Sequence, residues 1–429
     1  MKKIKLDIVD ETVFYEKLEN GLDIYLIKKE NFHVSFASFV TNFGGIDTEF
    51  IPIGEKDMIT VPSGIAHFLE HKLFEQENGD SVHEFYNKSG TYVNAMTGYK
   101  TTKYIFKGTN NFKNNLLFLL DFVQSPYFTD ENVLKEKGII LEEARMDLDN
   151  PNRKFNETIL KNLFTSGLYD KTIIGTMDDI KSITKEELYK CYNSFYHPSN
   201  MALLIVTNEN EEEIFNLIRN NQKSKNYKND FKIEKKQYFE TDEVKVEKEI
   251  IKENVNETRV CYSIKQKLSS FDASKLEVYD YFGILFGMVL GELSDFNINL
   301  KKKNITKKDI FYSISSEEFI NEEYMIFKIS VLTDKPDKFI SLLEKELNNL
   351  KHTENDFNLY KKTIIADFNY DFNNITDIMS FMTTEYEFSG NISNENILVE
   401  KGLNYKRFIE VINKLNISNK SIVIMSSNK

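Results

Sequence analysis

The strongest constraint on the fold is a pattern that occurs twice along the 429-residue chain. Residues 195–207 and 415–427 both run from the end of a predicted helix through a Ser-Asn pair into an apolar strand. A repeated order of elements at such a spacing is typical of an internal duplication and predicts two similarly folded halves. Two halves of similar architecture but separate origin would show the same pattern. A chain of this length also exceeds what a single hydrophobic core usually supports.

The order of predicted elements within each half indicates an α+β fold. In the first half, hydrophobic patterns and turn signals predict strands at 12–18, 22–29, 33–41, 92–97, 102–106 and 201–207. They also predict a helix that begins at residue 63 and further helices at 81–89, 111–126, 130–148, 155–167, 184–196 and 210–220. In the second half they predict strands at 245–251, 258–266, 309–315, 323–332 and 421–427, and helices at 273–293, 335–351, 355–372, 375–388 and 405–415. Such an order is typical of a mainly antiparallel sheet with helices packed on one face. We therefore expect two α/β sandwich domains, 1–220 and 241–429, joined by a Lys- and Asn-rich linker at 221–240.

Composition argues against several classes of function. Apolar residues make up 41% of the chain, which is enough for a folded globular protein. The net charge of −12 argues against nucleic acid or an anionic membrane as the main partner. The sequence contains no apolar run long enough to predict a membrane-spanning helix and no apolar segment typical of a secretory signal. We interpret Cys191 and Cys261 as buried free thiols in a reducing compartment, which predicts a cytoplasmic protein.

One short motif points to metal chemistry. His67, Glu70 and His71 are spaced i, i+3 and i+4, so on a helix their side chains share one face. Ser63 precedes this helix and is the expected N-cap. Two imidazoles four residues apart can bind zinc, an adjacent carboxylate can accept a proton from an attacking water molecule, and the order His-x-x-Glu-His is the inverzincin arrangement. The alternative is that the three residues are simply packed or exposed on an amphipathic helix.

A catalytic zinc site needs a third protein ligand, which has to come from elsewhere in the chain. The predicted helix at 130–148 carries Glu136 and Glu143, which are seven residues apart and therefore share a helix face. A carboxylate from this face, brought against the two histidines, would complete a His₂Glu set of ligands. Considered alone, such a pair of glutamates is more often a solvated helix face.

Together these motifs resemble the pitrilysin/insulinase family of zinc metallopeptidases, and in particular its small bacterial-type members, which form dimers. In that family a zinc-binding glutamate lies in a second helix downstream of His-x-x-Glu-His, as in residues 136–143 of this chain. The stretch Asn94-Ala95-Met96-Thr97 is similar to the family's edge strand at the active site, and residues 195–201 are similar to the end of its first domain.

The resemblance implies a role for each residue of the motif. His67, His71 and Glu143 would bind zinc, and Glu70 would be the general base of catalysis. Glu136 would be a further carboxylate of the catalytic site, supporting the zinc ligands from behind. These assignments predict a zinc endopeptidase that cleaves unfolded peptides or small proteins inside a clamshell-shaped chamber.

The resemblance also implies how substrate and partner bind. A peptide would lie as an added strand along the edge strand, with Asn94 and Ala95 binding its backbone. Catalytically complete members bring an Arg and a Tyr to the substrate, but the comparable stretch here, residues 291–312, contains no Arg. We therefore expect a heterodimer with a zinc-less paralogue that supplies the Arg/Tyr pair, with a homodimer as the alternative. Neither nucleic acid nor a membrane is an expected partner.

Two other functions are compatible with the sequence. The chain could be a non-catalytic or scaffold subunit of a heterodimeric assembly, although a scaffold does not require the intact set of zinc-site residues. It could also be a protease dedicated to maturing one peptide, which the residues do not distinguish from general peptide turnover.

Overall fold

A computed structural model describes residues 1–79, 81–225, 227, 232–319, 322–393 and 402–427. Contacts divide the chain into two compact units. Unit 1 combines Met1–Met146, Lys171–Lys236 and Asn369–Asn394, and unit 2 combines Asp147–Asp170, Gln237–Phe368 and Glu395–Lys429. Each unit thus includes a segment from the other half of the sequence. The predicted boundaries at 1–220, 221–240 and 241–429 stay a prediction, and residues 226 and 228–231 of the expected linker lie outside the described residues.

The secondary structure follows the predicted order closely. The strands are β1 Lys2–Leu6, β2 Glu11–Lys17, β3 Asp23–Lys28, β4 Ser35–Thr41, β5 Glu49–Ile51, β6 Ile59–Thr60, β7 Tyr92–Thr97, β8 Thr102–Gly108, β9 Met201–Thr207, β10 Glu234–Lys235, β11 Lys248–Glu253, β12 Arg259–Lys267, β13 Phe311–Phe319, β14 Glu322–Leu332 and β15 Lys420–Ser427. The helices are α1 Ile65–Lys72, α2 Val82–Lys88, α3 Phe112–Val123, α4 Asp130–Leu148, α5 Pro151–Leu163, α6 Met177–Ser182, α7 Lys185–Phe195, α8 Glu211–Lys223, α9 Lys275–Leu290, α10 Asp295–Lys302, α11 Pro336–Leu347, α12 Glu354–Asp371, α13 Ile375–Ser389 and α14 Tyr405–Ile412. Within the described segments, none of these helices has the length and apolar character needed to cross a membrane.

The two main sheets have the same topology. Sheet 1, in unit 1, has the order β1-β2-β3-β9-β4-β8-β7, and sheet 2, in unit 2, has the order β11-β15-β12-β14-β13. Strands β3, β4, β7, β8 and β9 of sheet 1 are arranged like strands β11 to β15 of sheet 2. In each set of five, the last strand along the chain lies between the first two strands of that set. In both sheets this final strand is parallel to the first strand and antiparallel to the second. The predicted pair of similarly folded α/β domains is therefore confirmed.

Helices cover both faces of sheet 1. Leu203 in β9 points into a core shared with helices α1–α4 and α6–α8, whereas its neighbour Leu204 is buried on the opposite face. That second face is covered by α13, where the ring of Tyr386 lies 6.4 Å from the ring of Tyr25. The predicted packing of helices on one face therefore holds for the main core of unit 1. Helix α13, from a distant part of the chain, covers the other face of sheet 1.

Sheet 2 is covered on its second face by α5. Lys265 in β12 lies on this face with no exposed side-chain surface and donates to the Leu163 carbonyl at the end of α5 (3.2 Å). The same ammonium group forms a buried ion pair with Glu240 (2.6 Å), whose carboxylate also accepts from the backbone N–H groups of Thr165 and Ser166. A buried charge of this kind is tolerated only when it is paired, so these bonds tie the segment after α5 to sheet 2.

Three local predictions need correction. Ser63 is not the N-cap of α1: Gly64 occupies that position, and the Ser63 hydroxyl donates to the Thr172 carbonyl instead. The predicted helix at 273–293 ends at Leu290, and a second helix, α10, begins at Asp295. Strands β1, β5, β6 and β10 and helix α6 were not predicted.

Candidate metal centre

Helix α1 presents the sequence motif on a well-anchored scaffold. Ile65, Phe68 and Leu69 are buried in the core of unit 1, which fixes the rotation of the helix about its axis. His67 and His71 therefore share the opposite side, and their ring centroids lie 4.6 Å apart. The predicted i, i+4 arrangement of the two imidazoles is present in the structure.

Helix α4 brings a carboxylate against these two rings. One oxygen of Glu143 lies 3.6 Å from His67 Nε2, and the other lies 3.5 Å from His71 Nε2. One donor atom from each of the three side chains lies within 4.8 Å of the other two. Among the described residues, this is the one group of His, Cys, Asp or Glu side chains arranged to hold a metal ion.

The spacing of these atoms fits zinc better than it fits hydrogen bonding. Two ligands about 2.1 Å from a tetrahedral ion lie about 3.4 Å from each other, close to the observed nitrogen–oxygen distances. The same distances are long for a hydrogen bond between a ring nitrogen and a carboxylate. Two imidazoles and one carboxylate are also a ligand set that zinc commonly takes in catalytic sites.

Glu136 fixes the orientation of one imidazole. It lies one heptad before Glu143 on α4, is mostly buried, and its Oε1 is 3.0 Å from His71 Nδ1. A proton on Nδ1 donated to this carboxylate leaves the lone pair of Nε2 directed at the site. Burial alone would lower the pKa of His71, but the hydrogen bond and charge of Glu136, with the charges of Glu143 and Glu70, raise it above its ordinary value.

Glu70 lies beside this group and is held by the edge strand. The Thr97 hydroxyl donates to its Oε2 over 2.5 Å, and the carboxylate is buried. Burial raises the pKa of the Glu70 carboxyl above its ordinary value, against the lowering effect of the Thr97 hydrogen bonds and the His71 charge. A carboxylate with a raised pKa is suited to accept a proton. The sequence indicated Thr97 only as part of the stretch Asn94–Thr97 and suggested no role for it. A strand pattern does not show which residue of a neighbouring helix a threonine hydroxyl contacts.

The neighbouring Glu142 does not contribute to the centre. Its side chain is largely exposed and pairs with Arg145 on the next turn of α4. This separation follows from the rotation of about 100° between consecutive helix residues.

Strand β7 lies at the end of sheet 1, next to the site. In the described part of the chain it pairs with β8 alone, so its other edge is open. Asn94 is exposed and donates to the Tyr92 hydroxyl (2.8 Å), whereas the Ala95 side chain is buried. Any contact of Ala95 with a peptide would therefore be made by its backbone.

Models of one peptidase family match most of the chain. The model for the insulinase family (peptidase family M16) matches residues 60–177, which contain the histidines and glutamates described above. The model for the peptidase M16 inactive domain matches residues 182–364. The chain belongs to the M16 insulinase family.

Relatives and solved structures agree with this assignment. The M16 chain is 42% identical over 267 residues to YmfH of Bacillus subtilis (strain 168), described as an uncharacterised zinc protease, and the match covers 62% of each protein. It is 31% identical over 202 residues to an uncharacterised zinc protease of Rickettsia bellii (strain RML369-C), covering 46% of this chain and 47% of the relative. The chain thus matches less than two thirds of the length of these relatives. The crystal structure of an M16-like peptidase from Alicyclobacillus acidocaldarius superposes with a TM-score of 0.87 and 27% identity, covering 97% of this chain and 99% of that one.

Proposed function

We propose that this M16 chain is the zinc-binding subunit of a metalloendopeptidase that cleaves unfolded peptides or small proteins. The observation that carries the proposal is the convergence of His67, His71 and Glu143 from two helices, with Glu70 beside them. The three converging side chains would hold the zinc ion. When bound, zinc polarises the scissile carbonyl and makes water a stronger nucleophile at neutral pH.

Glu70 is the proposed general base. Thr97 occupies its Oε2, which leaves Oε1 able to accept a proton from the attacking water. The same carboxyl group can then pass the proton to the departing amine. Glu136 keeps His71 in the tautomer that binds metal, so its contribution acts through the ligand rather than on the substrate.

The open edge of β7 is the proposed binding site for the peptide backbone. The Gly98 N–H donates to the Thr101 carbonyl (2.8 Å) at the turn, so the next pair along the ladder, Thr97 with Thr102, is not hydrogen-bonded across the strands. Because such pairs alternate, the backbone groups of Ala95 also point to the open edge. An extended peptide can pair with them, while the exposed Asn94 amide lies on the adjacent face of the strand.

A peptide bound in this way lies close to the base. Ala95 and Thr97 are two residues apart on one strand, roughly 6.6 Å, and Thr97 contacts Glu70. A peptide paired at Ala95 would therefore extend towards Glu70 by the length of about two residues. The arrangement supports cleavage within an extended chain, with recognition mainly of the backbone.

We further propose that the active enzyme contains a second subunit. Residues 291–312 contain no Arg, so this stretch lacks the Arg/Tyr pair that is expected to contact the substrate. A zinc-less paralogue, or a second copy of this chain, would supply that pair. Cys191 and Cys261 are free and buried, which supports a reducing location such as the cytoplasm. Co-purification from the native host, followed by mass spectrometry, tests the partner: recovery of this chain with no related subunit excludes the heterodimer.

The decisive test of function combines zinc content with peptide cleavage for the wild type and Glu70→Gln. We expect Glu70→Gln to bind zinc as the wild type does and to lose at least about 100-fold in kcat, because the base is gone while the ligands remain. Glu142→Gln is the matched control: it makes the same change at an exposed position on the nearby helix and should leave both properties intact. Full turnover by Glu70→Gln would contradict the mechanism, and stoichiometric zinc without cleavage in the complete assembly would favour the scaffold alternative. A protease dedicated to one peptide would cleave that peptide and reject unrelated unfolded chains.

A further inference from the structure

Thr97 makes a short contact with one carboxylate. Its hydroxyl donates to Glu70 Oε2 over 2.5 Å. A short hydrogen bond to one oxygen restricts both the position of a carboxylate and its rotation about the terminal bond. A carboxylate on a short helix with no such partner could adopt several rotamers.

The end of β7 is itself fixed in place. The Thr102 hydroxyl, opposite Thr97 in the strand register, donates to the Phe43 carbonyl (2.8 Å) and lies 3.4 Å from the Thr97 hydroxyl oxygen. Thr97 is half-buried, and the Gly98 N–H closes the turn that follows it. The hydroxyl donor that reaches Glu70 is therefore carried by a rigid part of the sheet.

We propose that Thr97 is a positioning residue that couples the peptide-binding edge of β7 to the general base. The proposal rests on the proposed function of the site. One strand then performs two tasks: the backbone of Ala95 sets the register of the peptide, and Thr97, two residues later, aims the free oxygen of Glu70 at the position next to the scissile bond. Any shift of the strand moves peptide and base together, which preserves their relative geometry.

This coupling predicts a specific kinetic signature. Loss of the Thr97 hydroxyl should lower kcat by about 10- to 100-fold, the usual effect of removing a partner that orients a catalytic group. KM should change by less than about threefold, because the backbone groups of Ala95 that pair with the peptide remain. Zinc binding should be unaffected, since Thr97 contacts Glu70 and not the three metal ligands.

The experiment compares Thr97→Val and Thr97→Ser in the full chain, purified with any accompanying subunit. Valine keeps the branched shape of threonine and its preference for strands but removes the donor, whereas serine keeps the donor. Thr12→Val, at the other side of sheet 1 in β2, controls for the loss of a hydroxyl from the sheet. We measure kcat and KM on an unstructured peptide, zinc content, and the orientation of the Glu70 side chain in crystal structures of the three variants and the wild type.

The expected result is a loss of kcat in Thr97→Val alone, with Glu70 rotated or spread over several rotamers in that variant and retained in Thr97→Ser. Wild-type kcat in Thr97→Val, or a Glu70 carboxylate that keeps its orientation there, would overturn the proposal. If the wild type binds zinc but cleaves nothing, the proposed function fails, and the crystallographic comparison alone decides whether Thr97 positions Glu70.

Discussion

Substitution of the glycine at the start of α1 tests what fixes the position of this helix, which carries the proposed zinc ligands His67 and His71. Gly64 has a φ of +87°, and a Cβ added to it would lie 2.2 Å from the Ile174 carbonyl oxygen, which is backbone and cannot rotate away. The left-handed conformation costs a residue with a Cβ about 1–2 kcal/mol. Relieving an overpacked contact costs about 1–3 kcal/mol more. Gly64→Ala should therefore lower the free energy of unfolding by about 2–5 kcal/mol.

The same chain offers a control that separates strain from the steric clash. Gly54 has a φ of +79°, but an added Cβ would meet nothing within 4 Å. Gly54→Ala should lower the free energy of unfolding only by the cost of the left-handed conformation, about 1–2 kcal/mol. Urea denaturation followed by circular dichroism measures both variants.

The two glycine variants should also differ in zinc affinity. His67 follows Gly64 by three residues, so a displaced first turn moves one of the proposed zinc ligands. The zinc dissociation constant of Gly64→Ala should therefore rise at least about tenfold. Gly54→Ala should bind zinc as the wild type does. Equal stability and equal zinc affinity in the two variants would refute the claim that the close approach of residue 174 positions the helix.

Three further predictions concern buried carboxylates. Glu136→Gln should weaken zinc binding by about 10- to 100-fold without abolishing it, measured by competition with a chelator, because His71 loses the charged acceptor that orients it. Lys265→Met should lower the free energy of unfolding by about 3–5 kcal/mol in urea, because it leaves Glu240 charged and buried without its cation. The third prediction concerns pH: burial would raise the pKa of Glu240, but Lys265 and the surrounding donors lower it below its ordinary value. The contribution of the pair to stability is therefore complete above the unfolded-state pKa, about 4.3, and is lost as the pH falls through the lower folded-state pKa, so the difference in stability between wild type and Glu240→Gln should shrink as the pH falls below about 4.3. A difference that stays constant over this range would contradict the pairing.

The sequence was most informative where local signals agree with tertiary packing. The helix carrying Glu136 and Glu143 was predicted with the bounds found in the structure, because an acidic first turn and apolar spacing both mark it. The spacing of His67, Glu70 and His71 likewise determines that their side chains share one face, provided that the segment is helical. The paired endings of the two halves correspond to β9 and β15, which occupy equivalent positions in their sheets.

The errors arose where distant contacts decide local structure. Ser63 is a good capping residue by type, but the approach of Thr172 and Ile174 to the start of α1 makes Gly64 the N-cap. Strand β1 is rich in lysine and forms through its pairing with β2, which a propensity argument does not reveal. The exchange of α5 and α13 between the units also depends on packing alone, because neither helix carries a signal of which sheet it covers.

The most direct test of the account is the zinc stoichiometry of the purified chain. After removal of metal with a chelator, zinc is titrated back into the wild type, Glu143→Gln and Glu142→Gln, and binding is followed by calorimetry. We expect one tightly bound zinc ion per chain in the wild type and in Glu142→Gln, and a large loss of zinc affinity in Glu143→Gln. Equal affinity in all three proteins, or no zinc binding by the wild type, would contradict the central claim that His67, His71 and Glu143 form a metal centre.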